Sequence, residues 1–148
     1  MANHLRQQIR EQIALNVTGL VTTGANVFQS RVYPIEDSKL PCLLVYSNSE
    51  ESEILNQGSP RLLLRTLSIT IQGVASEASG IDDKLDLIAK EIETAMAADV
   101  DINGLAQDSF MTSSEIDFTS DGAKTIGTLR INFQIEFRTL DNAPDVAI

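Results

Sequence analysis

The stretch TLRINFQIEFRT, residues 128–139, decides the fold. Leu129, Ile131, Phe133, Ile135 and Phe137 alternate with Arg130, Asn132, Gln134, Glu136 and Arg138. Successive side chains of a strand point to opposite faces, so this spacing predicts a strand with one face on a core and the other in water. A helix would repeat its apolar residues at intervals of three and four. The same alternation runs through Arg61–Val74, where Leu63, Leu67, Ile69, Ile71 and Gly73 share one face and Thr66, Ser68, Thr70 and Gln72 the other. Phe110, Ile116 and Phe118 are expected to share a face of a further strand, with a reversal at Asp121-Gly122.

A sheet with one apolar face needs a second layer, and two segments supply it. Leu5, Ile9, Ile13 and Val17 recur every four residues, which predicts an amphipathic helix over residues 3–20 with Asn3 as N-cap. Ile81, Leu85, Ile88, Ile92 and Met96 predict a second, with Ser79 as N-cap. Asp82, Asp83 and Asp86 fall on its first turns, where carboxylates offset the helix dipole. The expected fold class is therefore α+β: a two-layer sandwich of one twisted, mostly antiparallel sheet with two helices on one face. The chain is expected to be one domain over residues 1–148, with a loose tail at 139–148.

Residues 40–60 change character abruptly. Val27 to Tyr33 reads as a short strand stopped by Pro34, and Leu40 to Tyr46 as a strand apolar on both faces, hence central. The next segment, SNSEESEILNQGSP at 47–60, is polar and acidic and closed by Gly58 and Pro60. Ile54 and Leu55 interrupt it, which favours a protruding hairpin arm over a plain loop.

Composition narrows the function classes. The 148 residues carry 21 acidic and 11 basic side chains, a net charge of −10. Binding of naked nucleic acid relies on a basic face that displaces counterions, and this balance opposes it. No run approaches the roughly 20 apolar residues of a membrane span, and MANHLRQQIREQ has no apolar core of signal-peptide type. Cys42 is the single cysteine, so no intramolecular disulfide forms; a reducing cytoplasm is the expected place of synthesis.

No catalytic constellation is expected. His4, the one histidine, lies at the N-terminus, away from any scaffold that would hold a general base. Cys42 lies within an apolar strand, as an inert small hydrophobe does. Asp99, Asp101, Asn103 and Gly104 match the first half of a calcium loop, but the closing glutamate is replaced by Phe110. That segment reads as a helix-to-strand turn in which Gly104 supplies a positive φ. Neither metal nor cofactor is expected, and the chain reads as a non-enzyme.

Taken in order, an N-terminal helix, VFQSRVYPIEDSKLPCLLVY, the acidic arm, a long alternating strand, a helix, and INGLAQDSFMTSSEIDFTSDGAKTIGTLRINFQIEFRT resemble the tail terminator proteins of long-tailed bacteriophages. These are lambda-type minor tail proteins that cap the tail tube. The resemblance spans about residues 4–144 and rests on order and spacing rather than any single residue. It implies a virion protein of the phage tail, assembled in the host cytoplasm as a homo-oligomeric ring, typically a hexamer. Such a ring stops tube polymerisation and then joins the tail to the head. Its partners would be its own copies, the tail tube protein and a head–tail connector protein, with DNA only passing through the lumen and no membrane involved. The arm would reach a neighbouring subunit, making Glu50, Glu51, Glu53, Ile54, Leu55, Arg61, Arg65 and Arg130 the interface candidates. Two other readings stand beside it: a head-side connector or tail-completion protein, and a small cellular module that binds protein through its sheet edge.

Overall fold

A computed structural model of the chain describes residues 2–32, 37–121 and 124–148. The elements are α1 (Leu5–Asn16), β1 (Val27–Phe28), a 3-10 turn (Asp37–Lys39), β2 (Cys42–Ile54), β3 (Leu62–Glu77), α2 (Ile81–Ala97), β4 (Asp108–Asp121) and β5 (Lys124–Leu140). One open five-stranded sheet runs in the order β1-β2-β3-β5-β4. β1 is parallel to β2, and every other pair is antiparallel. The α+β sandwich expected from the alternation is the observed architecture.

The core forms where the apolar stripes meet. Leu5, Ile9 and Ile13 of α1 and Leu85, Ile88, Ile92 and Met96 of α2 join Leu43, Val45, Leu67, Ile69, Ile71 and the odd-numbered residues Leu129–Phe137 in one buried cluster. α1 lies over β2, and α2 over β3 and β5. Two glycines let α2 sit close. A Cβ at Gly127 would stand 2.8 Å from Ile81 Cγ1 and Leu85 Cδ1, and one at Gly73 would stand 3.0 Å from Ile88 Cγ2. The opposite face carries a smaller cluster of Cys42, Leu44 and Val74. Burial pushes the Cys42 thiol up to about 11.

Several local expectations are corrected. α1 is shorter than 3–20 and is capped by His4 rather than Asn3, His4 Nδ1 accepting from the Arg6 amide at 3.1 Å. Gly80, not Ser79, caps α2; it is left-handed at φ +72°, and no side chain takes part. β1 stops at Phe28, while Tyr33, Pro34 and Gly122 lie outside the described residues. Phe110 does not share a face with Ile116 and Phe118. A bulge between Met111 and Ser113 shifts the phase, so Phe110 stands opposite Gln134 whereas Ile116 stands opposite Leu129. The outer face of β3 is not uniformly wet either. Thr70 and Gln72 are buried, Gln72 accepting from the Tyr46 hydroxyl and Thr70 bridging Asn48 and Asn132.

The closing segment makes main-chain hydrogen bonds to the rest of the chain. Thr139 is buried, the Asp141 amide donates to Arg61 O, the Ile148 amide donates to Arg138 O, and Pro144 O accepts the first amide of α1, that of Leu5. The turns after β5 therefore bring the end of the chain against the start of the N-terminal helix.

Candidate subunit interface

The arm is a continuation of the sheet. β2 keeps its ladder with β3 from Cys42↔Val74 to Ile54↔Leu63, broken once by a bulge between Ser47 and Ser49. The bulge decides where the acids go. Before it Leu43, Val45 and Ser47 face the helices; after it that face carries Glu50, Ser52 and Ile54, because Glu50 stands opposite Leu67 and Ile54 opposite Leu63. Glu51 and Glu53 are turned to the other side, next to Leu64 and Thr66.

Glu50 is thereby drawn inward. Its Oε2 lies 3.5 Å from Arg65 Nη1 and its Oε1 3.6 Å from Arg6 Nη1, with both Glu50 and Arg65 largely buried. Arg65 sits on the core side of β3 between Leu63 and Leu67, and its Nη1 is also 3.1 Å from His4 Nε2. A neutral imidazole has one acceptor nitrogen, so the Arg65 contact and the Arg6 amide compete for His4. Desolvation first, then Arg6 and Arg65, hold the His4 pKa below its ordinary value. Arg130 is likewise committed within its own chain: on the outer face of β5 it lies 2.5 Å from Asp117 Oδ2.

Among the described residues the side chains of Glu51, Glu53 and Arg61 make no ion pair. Residues 51–61 are all exposed, and the tip holds Ile54 at 53% and Leu55 at 40% exposure with Arg61 beside them. Sequence reasoning grouped Glu50, Glu51 and Glu53; the structure separates Glu50 from the pair. The clue available was Arg65, whose odd number places a charge in register with Leu63, Leu67 and Ile69 and so demands a buried partner.

The surface that sequence reasoning missed is at the opposite edge. Among the described residues β4, 14 residues long, pairs with β5 alone and no other strand pairs with its outer edge. Met111, Ile116 and Phe118 on its helix side are each more than 40% exposed, since α2 covers β3 and β5 but not β4. Between α2 and β4 runs an apolar groove lined by Met96, Ala97, Val100, Met111 and Phe133, with Glu93 at its rim. The strand contains neither lysine nor proline, and its edge protection is limited to the bulge and the carboxylates Asp108, Glu115 and Asp117.

The half calcium loop serves as a turn. Asp99 Oδ1 accepts from the Asn103 amide at 2.9 Å and Oδ2 from Asn16 Nδ2 at 2.7 Å, which hold its pKa low, the Asn103 amide first. Ile102 is fully buried, and Ile102, Asn103 and Gly104 all have positive φ. Among the described residues no three His, Cys, Asp or Glu side chains gather as metal ligands, and no helix is long and apolar enough to cross a membrane.

Fold and surfaces together define an α+β sandwich with one open five-stranded sheet and exposed apolar side chains on the β2–β3 arm and on β4. The chain belongs to the family of phage minor tail protein U, whose model matches residues 4–137, and it is accordingly a structural component of the phage tail in the virion. The resemblance drawn from element order is borne out at that level. A chain in the virion of a native gene transfer agent particle is similar over 90% of this chain and 95% of its own, at 10% identity and a TM-score of 0.37. No curated protein matches.

Proposed function

We propose that this tail protein is the tail terminator: a homo-oligomeric ring, a hexamer, that caps the tail tube, stops its polymerisation and offers the surface to which the head connector docks. Its role is structural rather than catalytic. The observation that carries the reading is the pair of unlike, unsatisfied edges, the arm on the β2 side and bare β4 on the other. Unlike patches on one subunit join head to tail, and such contacts close into rings when the rotation permits. Family membership supports placing that ring on the tail.

Charge supports the same reading. Copies carrying −10 each sum to about −60 in a hexamer, which disfavours free aggregation and favours assembly on a template. An acidic lumen repels phosphate, so DNA slides through without adhering. The test is loss of the chain from an otherwise intact phage. Tails of uncontrolled length are expected. Tails of normal length that fail to join heads would replace the terminator by a head-side connector or tail-completion protein.

A further inference from the structure

We infer that the arm tip of one copy, carrying Ile54 and Leu55, seats in the α2–β4 groove of the next copy. The inference rests on the ring reading above and names its contact.

Three observations carry it. The tip is an apolar projection: Ile54 and Leu55 lie on a segment whose residues 51–61 are all exposed. The groove is an apolar recess whose own chain leaves it open, with Val100 at 43% and Met111 at 46% exposure. The two cannot meet within one copy. In the sheet they are three strands apart, about 14 Å at the usual strand spacing. They are also offset along the strands, since the tip lies level with Leu63 and Thr139 and the groove level with Ile69 and Phe133. The ladder fixes both in place, so a tip that reaches the groove belongs to a second copy.

Charge fits the pairing. Arg61 flanks the tip and Glu93 rims the groove, so docking places opposite charges side by side. The bulge between Ser47 and Ser49 also turns Glu51 and Glu53 to the face away from Ile54. The tip enters by its helix-side face while these acids stay in solvent, away from Glu93.

Paired cysteines test the contact in the full chain assembled on tail tubes. Ile54→Cys combined with Val100→Cys should give, on oxidation, a ladder of cross-linked species from dimer upward. Neither single variant should cross-link, because the contact is between unlike sites; Cys42 is fully buried and stays silent. In a second arm, Arg61→Glu should weaken assembly at least tenfold, and Arg61→Glu with Glu93→Arg should restore it. Cross-linking by either single variant, or unladdered rings from the double variant with no charge-swap rescue, would overturn this contact while leaving the ring in place. Wild-type protein that stays monomeric on tubes would overturn the ring itself, and the contact with it.

Discussion

Glu50 and Arg65 meet on the helix side of the β2–β3 ladder, Oε2 to Nη1 at 3.5 Å, although their backbones are not partners in register. Glu50 stands opposite Leu67 and Arg65 opposite Ser52, so the contact is diagonal. With Arg6 and His4 it anchors the root of the arm to the N-terminus of α1. The arm therefore has a fixed base and a free end.

Glu50→Ala should destabilise the isolated chain by on the order of 1–3 kcal/mol, because Arg65 is left buried without its carboxylate. Adding Arg65→Leu should recover most of that loss. Denaturant unfolding of the two variants and the wild type measures both steps; a Glu50→Ala variant as stable as wild type would remove the pair from the fold's support.

The arm's end should behave oppositely to its base with respect to packing, and the core supplies the reference. Phe133 is 4% exposed in the main cluster, and Phe133→Ala should cost on the order of 3–5 kcal/mol. A loss below about 1 kcal/mol in thermal or denaturant unfolding would contradict the facing of β5.

Gly127→Val should cost about 1–3 kcal/mol, since even a Cβ meets Ile81 and Leu85 at 2.8 Å and α2 must shift. Gly58→Ala, whose nearest neighbour is Asn56 Nδ2 at 3.7 Å, should stay within about 0.5 kcal/mol. Equal effects at the two sites would show that close helix–sheet approach is not what Gly127 provides.

Stability should fall as acid is added through the range of His4. Its folded pKa lies below the ordinary 6.5, so the unfolded chain takes up the proton more readily. The contribution of neutral His4 is complete above pH 6.5 and is lost as pH falls through the lower, folded value. His4→Gln should flatten unfolding free energy against pH in that window; an unchanged slope would assign it to other groups.

The fold was legible because its signals were periodic. Leu129–Phe137, Ile81–Met96 and Leu5–Val17 each repeat at the spacing of one element, and each buries the predicted side. What escaped were the two bulges, after Ser47 and after Met111, each of which shifts one strand's phase by one residue. Nothing in SNSE or FMTS announces that shift, and it sends Glu50 inward and separates Phe110 from Ile116. The candidate interface was half legible: Ile54 and Leu55 stand out in a polar run, but the bare flank of β4 depends on strand order, which no local pattern encodes.

Growth of tail tubes after addition of the full-length protein tests the central claim most directly. Purified tubes supplied with excess tube subunit should stop lengthening once the protein is present, with a closed ring visible at the tube end by electron microscopy. Tubes that keep growing, with the protein monomeric in solution or scattered along their walls, would contradict the account.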